Sequence, residues 1–535
     1  MPSSMQLSYP TPATSTADRS RILARAAGIA PAIAISIAYL VVRPASKDYA
    51  SGDFRARLFK DGAYVWNLHW FGGHPLPGYG IVSPMLSALL GVIPAAIISM
   101  IAAAWAFGAI VTRCAQNRPS LPSPTLATML FSVGCGLSLW GGRLTFGPAV
   151  AFGALTILCL QRDRRRSAVV IGALCGLSSP VGAVSLVMIL IACWVTRAFD
   201  RRTLVFVAAA SITPPALIGL SFPESGWYPF PGGSLAMLGI ALVAVGWFGR
   251  HNRTAKVLVI VYACVAIAAF AVRSPLGANI VRLAWLAAAP AAVLTFHRFR
   301  RTLLPAFIAF TMIWSWSYVK LGLQPAAASA KASYYEPLAE FVLAQPGGVH
   351  RIEIVPTETF RQADELALQL DIARGWEAQL DRQLNPEFYK DLTAETYHRW
   401  LLRNAVEYVA TPSSNVQLSS RNEQSIIESA PDYLVQVMST ADWLVFRVRD
   451  AEPLADNGAT VTHISADALT IEATRPGLTT IRFRYSKWFH LTAGSACLRR
   501  NPDGWLQLDV ATPGTIVADV SFTFSAAAGD IDRCH

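Results

Sequence analysis

Residues 25–322 consist almost entirely of apolar stretches about as long as a membrane-crossing helix, and acidic residues are nearly absent from them. A helix needs about 20 predominantly apolar residues to cross a hydrocarbon core of about 30 Å. The stretches are 25–43, 82–112, 123–140, 145–160, 203–221, 234–249, 256–272, 279–297 and 302–322. A tenth, 167–196, is broken at Ser178-Ser179-Pro180 and reads as two short helices in a hairpin. The segment from Ser83-Pro84 to Pro94 also suits a separate short helix. The expectation is an α-helical polytopic membrane domain of about eleven spans, with a range of ten to thirteen.

Composition divides at the same place. Residues 1–322 carry 27 Lys and Arg against 7 Asp and Glu, whereas residues 323–535 carry 18 against 27. The net charge of +11 therefore does not describe a basic surface that would seek nucleic acid, because the cations sit in short clusters between apolar runs. A single soluble enzyme and a disordered chain are both excluded. Arg19 to Arg25, Arg113 and Arg118, Arg162 to Arg166, Arg197 to Arg202, Arg250 to Lys256 and Arg298 to Arg301 fall in every second loop. Cytoplasmic loops collect Lys and Arg. The loops 44–81, 141–144, 221–233 and 273–278, and everything after about 322, are thereby expected outside a cytoplasmic membrane. Residues 1–20, rich in Ser, Thr and Pro, are expected to be a disordered cytoplasmic tail.

The remainder divides again. Residues 323–450 alternate helical and strand signals, such as RIEIV at Arg351–Val355 and AVEYVA at Ala405–Ala410, and read as an α/β region. Residues 451–535 read as alternating strands punctuated by Gly, Pro, Asn and Asp, the pattern of a β-sandwich. Six of the eight cysteines lie in or beside apolar runs without metal-ligand spacing and read as small packing residues. Cys497 and Cys534 stand apart, either as free thiols or as a disulfide in an oxidising compartment.

Chemistry concentrates in the first outer loop, DYASGDFRARLFKDGAYVWNLHWFGGHPLPGYGIVSP. Phe54, Leu58 and Phe59 against Arg55, Arg57 and Lys60 suggest a short amphipathic helix over 54–60, lying in the headgroup plane with its basic face toward anionic lipid. Trp66, Trp70, Phe71 and Tyr79 suit an aromatic belt. Gly72 to Gly78 then turns the chain into the second span. Four of the seven acidic residues of the helical half are at this face: Asp48, Asp53, Asp61 and Glu224.

An acidic residue soon after the first span, an interfacial helix and a W…GxP-type turn into the second resemble the GT-C superfamily of integral-membrane glycosyltransferases. The likeness is to its bacterial glycosyltransferase-like membrane-protein branch. It extends over residues 21–322, with outer loop 44–81, and over the placement of the carboxy-terminal region. The broken hairpin at Ser178-Ser179-Pro180 resembles a recurrent family feature, with Ser179 where a histidine is common. The resemblance implies transfer of a sugar from a polyprenyl-phosphate donor, drawn from membrane lipid, to an envelope glycan, lipid or protein. It places a catalytic carboxylate in the first loop, which maps onto Asp53 with Asp48 and Asp61 as rivals; beside them His69 or His74 could share the base role or bind a metal. No cofactor is fixed. Some members hold a divalent metal on an Asp-x-Asp or Glu-Asp pair, and this loop has neither.

The residues carry that reading part of the way. A base must take the acceptor's proton, and cations must stabilise the departing phosphate. Arg282 and Arg273 bracket an outer loop, Arg143 sits in another, and Asn279 stands one turn before Arg282. An arginine just inside a span is costly and usually functional, although snorkelling to the interface is the plainer alternative. Asp53 equally suits capping of the 54–60 helix or pairing with Arg57 or Lys60. Glu224, Trp227 and Tyr228 could contact sugar or anchor the interface, and His69 and His74 could serve the loop's turns. GWEAQLDRQLNPEFY, Gly375–Tyr389, suits an acceptor-docking element. Two other classes compete: a non-catalytic glycan-binding assembly protein, and a transporter or flippase of lipid-linked sugars, which the absence of a visible internal repeat disfavours.

Overall fold

A computed structural model of the chain describes residues 16–73, 80–117, 123–222, 226–295, 303–319 and 327–523. His74, Tyr79, Glu224 and Cys534, and the first fifteen residues of the tail, lie outside them.

The amino-terminal part is a helical bundle. Its helices are α1 (Thr16–Val42), α2 (Lys47–Lys60), α3 (Val82–Leu90), α4 (Val92–Asn117), α5 (Pro124–Trp140), α6 (Gly147–Gln161), α7 (Arg165–Ser178), α8 (Pro180–Thr196), α9 (Arg201–Ser221), α10 (Gly232–Phe248), α11 (Arg253–Ala271), α12 (Arg282–Thr295) and α13 (Leu303–Val319). Among the described residues, six helical segments are long and apolar enough to cross a membrane: Ala24–Val42, Val92–Gln116, Leu144–Gln161, Arg201–Ser221, Arg253–Ala271 and Gly277–Thr295. Pro124–Trp140, Pro180–Thr196, Gly232–Phe248 and Leu303–Ser317 are apolar but shorter. Leu40, Val41, Phe206, Leu220, Val243, Ile267 and Ile313 are exposed on these helices. So wide an apolar surface has no place in water and is accounted for by lipid.

Local signals set the helix ends. Pro180 opens α8 directly after the Ser178-Ser179 break. Asp200 caps α9 by accepting from the Thr203 amide, and Asn252 caps α11. The stretch 82–112 divides at Gly91, whose φ of 87° ends α3 before α4 begins. Basic turns meet at one end of the bundle, where Arg165 reaches Asp200 and Thr254 reaches Thr196. The opposite end gathers Ser46 with Gly142 and Tyr228 with Ser274.

On that second end sit two further units. The first contains α14 (Glu336–Leu343), α15 (Gln362–Glu365), α16 (Ala378–Leu384), α17 (Ala394–Arg403) and α18 (Arg421–Glu428). These surround strands β1 (Arg351–Ile354), β2 (Asp371–Ile372), β3 (Tyr408–Pro412), β4 (Leu434–Ser439) and β5 (Trp443–Val448) in the order β2-β1-β3-β5-β4. The β1–β2 and β1–β3 pairs are parallel; β5 runs antiparallel to β3 and β4. The second unit has two antiparallel sheets. One is β10 (Ala496–Arg500), β11 (Trp505–Val510) and β8 (Gly477–Arg484); the other is β6 (Ala459–Ile464), β7 (Ala468–Ala473), β12 (Gly514–Val520) and β9 (Phe489–Ala493). Alternating residues such as Ile471, Ile481, Phe483, Leu508 and Ile516 form its core.

The first loop is built into both units. Trp70 bridges to Ile372 beside β2, and its indole donates to the Ala363 carbonyl at 3.0 Å. Leu68 donates to Ala466, and Trp66 joins a cluster with Phe222, Trp488 and Phe522. The expected aromatic belt is therefore corrected for Trp66, Trp70 and Phe71: all three are buried in protein, where cores absorb their apolar area.

Candidate functional site

The helix expected over 54–60 begins seven residues earlier, at Lys47, and is not an interfacial ribbon. Phe54 and Leu58 are buried, and Phe54 stacks on Trp70 at 4.2 Å. Two of its three cations, Arg55 and Arg57, are used in protein contacts, while Lys60 is exposed. Arg55 is buried and ion-paired with Glu377, while Arg57 pairs with Asp53 at 2.7 Å and with Glu365 at 3.6 Å. Ser46 occupies the cap position, so Asp53 lies mid-helix and cannot cap it.

This earlier start separates the loop's aspartates. Asp61 is exposed at the carboxy end of α2. Asp53 belongs to an ion-pair cluster on the α/β side, with Arg57 contacting Glu365 and Arg361 paired to Asp364 and Glu365. Asp48 lies in the first turn of α2. Burial pushes its carboxyl above the usual range, and the nearby charges of Arg282, Arg143, Arg55 and Lys47 pull it back, in that order of strength. It keeps partial surface access in these surroundings. The structure thus brings Arg282 together with Asp48 rather than with Asp53.

The two leading cations are held on aromatic faces. Arg143 lies over Trp285 at 4.1 Å, and Arg282 lies over Phe146 at 5.3 Å. Each arginine's loop therefore supplies the ring that supports the other. Stacking fixes the guanidinium planes. Both arginines line a narrow cleft with Ser138, Trp285 and Ser315, with room for about one water molecule. The buried Ser315 hydroxyl has no hydrogen-bond partner among the described residues.

α2 is clamped from both sides. Below, Gly52 abuts Val92, and Ser46 meets the Gly142 carbonyl. Above, the Trp376 indole donates to the Lys47 carbonyl at 2.6 Å, and Lys47 donates to Gln417 at 2.7 Å. The segment Gly375–Tyr389, singled out in the sequence, thus packs on α2 beside Asp48, and its Glu377 pairs with Arg55. The chain break at Ser178-Ser179 is adjacent: Ile81 donates to the Leu177 carbonyl, and Ser83 contacts the carbonyls of Thr145 and Ser178.

The other expected residues lie apart from this cluster. Arg273 is exposed over the Trp227 ring at 5.1 Å, with Arg382 near the same ring at 5.6 Å. Tyr228 donates its amide to Ser274, and buried Asn279 contacts the Pro275 carbonyl at 3.5 Å rather than reaching toward Arg282. His69 is a structural residue. Burial holds its imidazole down at about 4, opposed by the Leu370 carbonyl 3.2 Å from Nδ1. Among the described residues, no group of three or more His, Cys, Asp or Glu converges as a metal site.

No protein-family model matches the chain, and no curated protein matches it. Among solved structures, ArnT from Cupriavidus metallidurans in the apo state is similar, with a TM-score of 0.43 and 13% identity over 81% of this chain and 98% of that one. The same protein bound to undecaprenyl phosphate gives a TM-score of 0.34 and 13% identity over 78% and 97%.

Proposed function

We propose that the chain is a multi-pass membrane glycosyltransferase that moves a sugar from a polyprenyl-phosphate donor to an envelope acceptor. The shorter apolar helices lie in the membrane with the longer ones, and the basic turns lie in the cytoplasm. Asp48 then stands at the outer face of the cytoplasmic membrane. One observation carries the reading: Asp48 sits within the combined field of Arg282, Arg143, Arg55 and Lys47 at the end of the bundle. The first-loop resemblance to GT-C enzymes supports the same chemistry.

In this mechanism Asp48 takes the proton of the acceptor hydroxyl as its oxygen attacks the anomeric carbon. The bond from that carbon to the phosphate oxygen breaks, and the polyprenyl phosphate leaves with the electron pair. Arg282 and Arg143 stabilise the charge that collects on it. Burial keeps Asp48 more basic than an exposed aspartate, and the four cations oppose that rise. The cleft between the arginines admits no sugar ring as it stands, so donor binding must widen it.

The test pairs two assays on purified protein: binding of undecaprenyl phosphate, and transfer from a labelled polyprenyl-phosphate sugar pool to envelope extract. The reading requires Arg282→Ala to weaken phospholipid binding and Asp48→Asn to abolish transfer while leaving binding intact. Full transfer by Asp48→Asn overturns the assignment. Lipid binding without transfer by the unaltered protein favours the glycan-binding assembly role.

A further inference from the structure

An open cavity of about 710 Å³ lies away from the Asp48 cluster, between the two carboxy-terminal units. That is within the roughly 300–1,000 Å³ of small-ligand sites. One wall comes from the α/β unit through Glu387, Arg399 and Arg403; the other comes from the two-sheet unit through Asp456, Arg482 and Asp503. Glu452, Arg484 and Trp505 complete a lining of four guanidiniums and four carboxylates.

This lining restricts what can bind. Arg403 is paired with Glu387 at 3.0 Å, and Arg482 with Glu452 at 3.0 Å. The balanced charges give a polyanion no net attraction. An apolar ligand would strip water from these groups without replacing their hydrogen bonds. An extended peptide would need a strand edge, and the edge of β8 facing the cavity is already used. Asp456 donates its amide to Thr480, Arg482 donates to Leu454, and Arg484 donates to Gly72 at 2.6 Å. Recognition must therefore run through side chains. Sugar hydroxyls both donate and accept, so adjacent carboxylates and guanidiniums satisfy them pairwise without leaving a buried group unmatched.

The wall is also preorganised. The Asn501 side chain accepts from the Trp505 amide at 2.8 Å, and the Arg484 guanidinium lies 4.6 Å over the Trp505 ring while donating to Phe71. Side chains held before binding cost little entropy on binding.

We propose that this cavity binds a neutral oligosaccharide, a second site that stands whether or not the Asp48 cluster transfers a sugar. The test is isothermal titration of the full-length protein in detergent with maltotriose, cellotriose and chitotriose, and with trigalacturonate as the anionic comparison. Arg399 and Asp503 are exposed, so Arg399→Ala combined with Asp503→Ala removes cavity groups without opening a core. At least one neutral trisaccharide is expected to bind saturably, about tenfold or more tighter than trigalacturonate, and the double variant to weaken it about tenfold, a loss of about 1.4 kcal/mol. Three outcomes overturn the proposal: no neutral trisaccharide binding up to about 10 mM, tighter binding of trigalacturonate, or binding unchanged in the double variant.

Discussion

Arg143 stands over the ring of Trp285, 4.1 Å from guanidinium carbon to ring centre. Three residues along each of the two segments, the relation is reciprocated, since Arg282 stands over Phe146. The two cations that act most strongly on Asp48 are thus each seated on an aromatic face.

The first prediction separates two aspartates of one helix. Asp48→Asn should lower sugar transfer by about 10²–10⁴-fold, the range of a positioned general base, with its melting temperature unchanged. Asp53→Asn should leave transfer within a few-fold, because Asp53 faces Arg57 on the α/β side. Initial rates for the two variants under one assay decide it; the reverse ranking returns the base role to Asp53.

How much of this site was legible in the sequence depends on the residue. Arg143 and Arg282 stand out because a cation beside or inside an apolar run is costly. The carboxylate does not, since Asp48, Asp53 and Asp61 share one loop and one chemistry. What separates them is the start of α2 at Lys47. At 3.6 residues per turn, Asp53 lies about 140° around the helix from Asp48. The apolar pattern of 54–60 marked only the half of α2 that packs on Trp70, so the first turn went unread. Glu377 stood out only as part of the 375–389 segment; its pairing with Arg55 did not, because that partner is distant in sequence. The apolar helices of the amino-terminal half, by contrast, were readable from the length of their apolar runs, which depends on lipid and not on partners.

The Arg55–Glu377 pair joins the helical bundle to the α/β unit, and both side chains are buried. Breaking a buried pair from one side leaves an uncompensated charge, at a cost of about 3–5 kcal/mol. Glu377→Gln should therefore lower the melting temperature in detergent clearly, whereas Arg399→Ala, an exposed helix pair with Glu395, should barely move it. Equal shifts in the two variants would show that the buried pair does not hold the units together.

Gly375 lies against the Trp70 indole, where an added Cβ would come within 2.6 Å of two ring atoms. Trp70 cannot retreat, being buried, stacked on Phe54 and hydrogen-bonded to Ala363. Gly375→Ala should thus overpack the contact and cost about 1–3 kcal/mol. Limited proteolysis should then cut the 375–389 segment faster than in the unaltered protein. An unchanged cleavage rate would mean that the first loop and this segment are not rigidly docked.

The last prediction concerns pH. Burial pushes the Asp364 carboxyl up to about 8, against the opposing pull of Arg361, with Glu365 and Asp53 adding to the rise. An unfolded aspartate titrates near 3.9. Between about pH 4 and about pH 8 the folded chain therefore holds a proton at this site that the unfolded chain has lost. Stability contributed by this group must fall as pH rises through that window. The Asp371 carboxyl, pushed up to about 6 by burial despite its 2.8 Å pair with Arg351, acts in the same direction over a narrower range. Asp364→Asn replaces the titrating group with a neutral one of the same shape. Its melting temperature relative to the unaltered protein should rise steadily from about pH 5 to about pH 8 and level off above. A difference independent of pH would show that Arg361 keeps Asp364 ionised throughout, and the cluster between α2 and α15 would then be a permanent ion pair rather than a proton-dependent one.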